Sequence, residues 1–137
     1  MSQSKIFPRS EAYQPLADLH PVELLALEVA IQFYREEWPQ LAYHLRAARV
    51  RERHFSGAGS FTELVVDPSE PPLTDPATGE PLNLVLHRNN AELAGGTLGI
   101  GATTLAFVTS GYLSCLEIAA YDSFWDADLS FVSVVTP

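Results

Sequence analysis

Cysteine and lysine are both nearly absent. Cys115 is the single cysteine in 137 residues. A lone thiol excludes an internal disulfide framework and any zinc site built on several cysteines. This is the usage of a reducing compartment, so the expected location is the cytoplasm. Lys5 is the one lysine among 8 basic residues, which face 17 acidic ones for a net charge of −9. An excess of that sign repels phosphate, which argues against nucleic-acid binding and against docking on anionic membranes. It favours solubility, or attraction to a basic partner. A bilayer-spanning run is missing too. The longest uncharged stretch, Leu93 to Leu116, holds glycines at 95, 96, 99, 101 and 111 and threonines at 97, 103, 104 and 109. That composition suits buried strands and a loop, not a membrane helix. Lys5 and Arg9 have no apolar stretch behind them, because Pro8, Glu11 and Pro15 interrupt. No signal peptide is expected.

What remains is the composition of a folded domain, 47% hydrophobic and 18% charged. The length suits a single core. Residues 1–19 have no period, and an irregular arm is expected there, followed by one domain over 20–137. His20-Pro21-Val22-Glu23 opens a helix. Proline costs nothing at the first helical position, and Glu23 suits the helix dipole. The helix is expected to run to Trp38, where Pro39 ends it. Glu28, Gln32, Arg35 and Glu36 share its polar face, and the apolar arc is broad enough to need a second helix or a second subunit. Pro39 to about Ala48 supplies a second helix, with Leu41, Leu45 and Ala48 in one stripe.

The period then drops to two. Arg51, Arg53 and Phe55 alternate with Val50, Glu52 and His54. Ser56-Gly57-Ala58-Gly59-Ser60 turns the chain into a strand over Phe61–Asp67, a hairpin signal. Pro68 to Pro81 holds five prolines, at 68, 71, 72, 76 and 81, and is expected to be a long surface loop. Further strands are expected over Leu82–Arg88, Thr103–Thr109, Tyr112–Tyr121 and Leu129–Val135. The stretch before Gly101 has no clear period. Helices first and an antiparallel sheet of five to six strands after make the class α+β.

Candidate chemistry is thin. Gly95 to Gly101 lacks the Gly-Lys-Ser/Thr of a phosphate loop and the strand-then-helix setting of a dinucleotide fingerprint. His20, His44, His54 and His87 show no metal-ligand spacing, so no metal and no cofactor are expected. Cys115 stands inside an apolar strand, where a thiol is inert. Two clusters remain. Asp122, Asp126 and Asp128 surround Phe124 and Trp125 in an acidic, aromatic loop that fits a partner-binding surface. Arg51 and Arg53 beside the Gly57 and Gly59 hairpin could hold an anion, with His54 or Glu117 as acid or base.

Two stretches resemble a known group. His54-Phe55-Ser56-Gly57-Ala58-Gly59-Ser60-Phe61-Thr62 resembles a Ser/Thr-Gly-x-Gly-x-Phe-Thr hairpin. Ser110 to Glu117, with Tyr121 and Trp125 after it, is similar to a Gly-x-Leu/Ile-x-x-Leu-Glu strand. Together they look like a loose group of small bacterial α+β proteins, some suspected to be immunity-type proteins that neutralise a toxin. The chain departs from that pattern at Ser60, where an aromatic is more usual, and after Trp125, where no proline follows. The group carries no catalytic residues over. With the acidity, the broad apolar helix arc and the lack of a catalytic constellation, the resemblance points to a non-enzymatic module, and the acidic, aromatic loop with Asp122, Phe124, Trp125, Asp126 and Asp128 would suit a basic protein partner. A homodimer through an exposed helix face is a further expectation. The alternative is a small-ligand protein or an enzyme with its site at Arg51, Arg53, His54, Gly57, Gly59 and Glu117.

Overall fold

In the computed structural model, which describes residues 17–88, 90–122 and 124–135, two helices lie on an antiparallel sheet of seven strands. The α+β class is as expected, but the strand count exceeds five to six. Helix α1 spans Pro21–Gln32 and α2 spans Gln40–Ala47. The strands are β1 (Arg49–Phe55), β2 (Gly59–Val65), β3 (Leu84–Leu86), β4 (Glu92–Gly95), β5 (Ala102–Thr109), β6 (Tyr112–Ala120) and β7 (Val132–Val135). They lie in the order β1-β2-β6-β5-β4-β7, with β3 also on β5. Most of the expected arm lies outside the described residues. Ala17, near its end, exchanges two backbone hydrogen bonds with Val50.

Helix α1 starts where Pro21 and Glu23 predict. The His20 ring accepts from the Val22 N–H at 3.1 Å, and the Glu23 carboxylate accepts from the His20 N–H at 2.8 Å. This is a capping box, and it satisfies donors that the first turn would otherwise leave unpaired. The helix stops at Gln32, short of Trp38, because a long-range contact overrides the local pattern. Residues 33–37 form turns, and these place the Tyr34 hydroxyl to accept from the N–H groups of His87 (3.1 Å) and Arg88 (3.2 Å).

That contact explains the extra strand. β3 pairs with Ala106–Val108 and β4 with Ala102–Thr103, so both occupy the same edge of β5. The chain leaves the edge after Leu86 and returns at Glu92. Tyr34 takes two of the freed donors. The Ala91 carbonyl accepts from the Thr104 N–H at 3.0 Å and from the Thr104 hydroxyl at 2.9 Å. The strand expected over Leu82–Arg88 is therefore the shorter β3, and β4 is a further strand inside the stretch before Gly101 that has no clear period.

Strict alternation also fails in β1. The register shifts between Val50 and Glu52, a β-bulge. After the bulge Arg53 sits on the same face as buried Val50, and Glu52 and His54 are turned to the other. Helices α1 and α2 cover one face of the sheet, where Ala26, Leu27, Leu41 and Leu45 pack with Leu64, Ala106, Leu116 and Ile118. The other face presents Phe61, Glu63, Leu105, Phe107, Cys115 and Glu117, half-buried at most. At one end of the sheet, Leu73 is fully buried and its carbonyl and N–H groups tie the proline-rich loop to Leu82 and Gly111.

Candidate functional site

Antiparallel pairing brings three connections to the opposite end of the sheet: the β1–β2 turn at Ser56–Ala58, the β4–β5 turn at 96–101 and the β6–β7 loop at 121–131. They are knitted together. The Gly57 carbonyl accepts from the Trp125 N–H at 2.7 Å, and the Ala58 carbonyl accepts from the Ala120 N–H at 2.8 Å. The Trp125 indole donates to the Thr97 hydroxyl at 3.1 Å, and that hydroxyl donates to Asp126 Oδ1 at 2.8 Å. Two glycines make this possible. Gly57 holds φ +87°, and a Cβ on Gly59 would lie 2.0 Å from the Ile118 carbonyl oxygen.

The acidic residues stiffen the loop that carries them. Asp126 Oδ1 also accepts from the Asp128 N–H at 3.0 Å, and Asp128 Oδ1 accepts from the Ser130 N–H at 2.9 Å. The Ser130 hydrogen bonds hold the Asp128 carboxyl below the ordinary range. Asp122 lies against Gly99, whose missing side chain leaves room for the carboxylate.

On this frame stand large apolar side chains in water. Phe131 is 94% exposed, Ile100 76% and Phe124 70%. Phe131 also has φ +61°, a left-handed conformation that costs a bulky residue roughly 1–3 kcal/mol. Trp125 does not join them. It is 2% exposed and part of the core, so it anchors the loop from beneath. Of the expected partner-binding residues, Asp122, Phe124, Trp125, Asp126 and Asp128 do share one loop. Ile100 and Phe131 were missed because an isolated apolar residue in a sequence gives no sign of its exposure.

The residues of the alternative ligand site are not brought together. Arg53 points to the helix side, where it makes a two-pronged pair with the Glu23 carboxylate through Nε at 3.0 Å and through Nη2. The Thr62 hydroxyl donates to the same carboxylate at 2.7 Å. Glu23 is fully buried. Burial raises its pKa, but the bonds from Arg53, Thr62 and the His20 N–H outweigh this and hold it below the ordinary value. Glu23 raises the Arg53 pKa in return, against the opposing effect of burial. His54 and Glu117 are on the opposite face of the sheet. No local pattern marks Glu23 as a buried charge, since its partners lie 30 and 39 residues away.

The face away from the helices has its own cluster. His54 Nε2 lies 2.5 Å from Glu63 Oε2 and 3.8 Å from Glu52 Oε1. Among the described residues, these three form the group whose composition suits a metal ion, with ligand atoms within 4.8 Å of one another. Cys115 pairs with Glu63 across β2 and β6. Burial, then the charges of Glu63 and Glu117, push its thiol up to about 11, so it is inert at neutral pH. His44 is fully buried in α2. Its Nε2 donates to the Pro71 carbonyl at 2.7 Å and its Nδ1 accepts from the Leu113 N–H at 3.4 Å, which is a structural role. A groove of about 740 Å³ between α1 and α2 is lined by Leu24, Ile31, Trp38, Leu41 and Leu45, among others, and by none of the alternative ligand residues.

No described helix is long and apolar enough to cross a membrane. The molecule is thus an α+β protein, a helical layer on an antiparallel sheet with an apolar and acidic loop end. Compared with family models, curated proteins and solved structures, the chain matches none.

Proposed function

We propose that this protein is a non-enzymatic protein-binding module, of the immunity-like kind its hairpin and strand resemble, and that it takes a basic protein partner on the loop end of its sheet. The observation that carries this is Phe131, a large apolar side chain held in strained backbone geometry and almost wholly in water. Strain without any gain in packing is the expectation for a residue kept for contact with something else. Ile100 and Phe124 extend the apolar surface, and Asp122, Asp126 and Asp128 supply the acidic rim. Segment 121–131 contains no lysine or arginine. A rim of this sign steers a basic partner and sharpens discrimination. Cytoplasmic location follows from the cysteine usage.

The test is affinity capture from the source organism's lysate at low and high salt, with the parent chain and a Phe124→Ser, Phe131→Gly variant in parallel. One basic protein held by the parent, released by salt and lost with the variant supports the proposal. Identical capture by parent and variant, or none by either, refutes the site. Self-association is read separately by light scattering. A dimer that survives the loop variant would place the contact on the helix side, where Leu24, Leu25 and Phe33 are exposed.

A further inference from the structure

We propose that Glu52, His54 and Glu63 form a binding site for a divalent transition metal of the zinc class on the face of the sheet away from the helices. Three observations converge. The first is the bulge in β1. Without it, Val50 and Glu52 would share the helix-facing side. With it, Glu52 and His54 both point to the open side, two residues apart, and Glu52 pairs directly with Glu63 of β2. Bulges are a recurring means of re-aiming side chains at functional sites.

The second is the spacing of the ligand atoms. Zinc–nitrogen and zinc–oxygen bonds of about 2.0–2.1 Å put tetrahedral ligands roughly 3.3 Å apart. The separations of 2.5 Å (His54 Nε2 to Glu63 Oε2) and 3.8 Å (His54 Nε2 to Glu52 Oε1) bracket that value. All three ligand atoms lie within 4.8 Å of one another, on a frame fixed by pairing of β1 to β2 and β2 to β6. The third is charge. Two carboxylates directly opposed across a strand pair repel each other. A dication between them turns that repulsion into attraction, and the two carboxylates balance its charge.

The donor set selects the metal class. One imidazole and two carboxylates suit zinc and its neighbours, whereas calcium takes six to eight oxygens and magnesium keeps most of its waters. All three side chains are roughly half-exposed, which leaves a fourth position to water. Cys115 pairs with Glu63 across β2 and β6 but is outside the three-residue set. The site is on the sheet face, not the loop end, and is independent of the proposed partner surface.

Titration calorimetry with zinc chloride alone, on the full chain, tests this. One zinc per chain is expected, with magnesium and calcium failing to compete. His54→Ala and Glu63→Gln should each weaken binding by about 10-fold or more, the loss usual for disturbing a metal's ligand environment. Glu52→Gln should weaken it as well, and His87→Ala should leave it unchanged. Zinc should also raise the thermal midpoint of the parent and not of Glu63→Gln. Far-UV circular dichroism confirms that the surface variants fold. Absence of zinc binding, or binding that His54→Ala and Glu63→Gln leave intact, overturns the proposal. Loss in His87→Ala alone would identify a stray surface histidine instead, and overturns it equally.

Discussion

Glu23 is a carboxylate without water, held by Arg53, Thr62 and the His20 N–H. Such a charge is stable only while all its partners stay in place, because removal of one leaves the rest buried and uncompensated. Arg53→Ala is expected to cost about 3–5 kcal/mol in urea unfolding. The sign of the pH dependence follows from the depressed pKa. In the unfolded chain Glu23 titrates near its ordinary value of 4.5, and in the folded chain below it. Its contribution is therefore complete above pH 4.5 and is lost as pH falls through the folded value. Glu23→Gln should flatten the acid limb of the stability curve in that window, measured by unfolding at a series of pH values. An unchanged acid limb would show that other carboxylates govern it. Cys115 makes the opposite case, a group kept neutral. With its pKa moved from 9.0 to about 11, its thiolate fraction at pH 8 falls on the order of 100-fold. Alkylation by iodoacetamide should be slower than for a free thiol by about that factor and rise steadily up to pH 10. Fast labelling at pH 8 would contradict it.

Among the elements, the break between β3 and β4 is the least local feature. Its amides are satisfied by a tyrosine more than fifty residues earlier in the chain. Tyr34→Phe keeps the ring and removes the acceptor. The expected loss is about 1–2 kcal/mol, the usual cost of leaving a donor unmet. Hydrogen exchange at His87 and Arg88 should quicken while Leu116 and Ile118 stay protected. Equal quickening throughout the sheet would mean that the break does not open by itself. The bulge in β1 acts at the same scale. A strand period of two places Arg51 and Arg53 together on one face, and one extra residue is enough to send Arg53 inward and His54 outward.

For the whole molecule, the net charge of −9 sets a field that speeds encounter with a basic partner and weakens with salt. The proposed contact surface carries strain, so stability and binding should separate there. Phe131→Gly removes a side chain that packs on little and relieves the positive φ. Its unfolding free energy should equal that of the parent or exceed it by up to about 1 kcal/mol. Its affinity for the captured partner should fall at least tenfold. A variant that loses stability would show Phe131 to be a packing residue, and one that keeps full affinity would remove it from the interface.

The amino-acid sequence by itself determined the α+β class, the start of α1 at Pro21, the hairpin at Gly57 and the grouping of the acidic residues with Phe124 and Trp125. Each is a local matter of period, capping or turn chemistry, and each survives in the fold. Only the tertiary structure decided the end of α1, the shortening of the strand over Leu82–Arg88 to β3, the added strand β4, and the side of the sheet on which Arg53 and His54 fall. It also decided that Trp125 is buried while Phe124, Ile100 and Phe131 stand in water. These depend on pairings between distant residues and on a one-residue shift of register, and no window of sequence contains both partners.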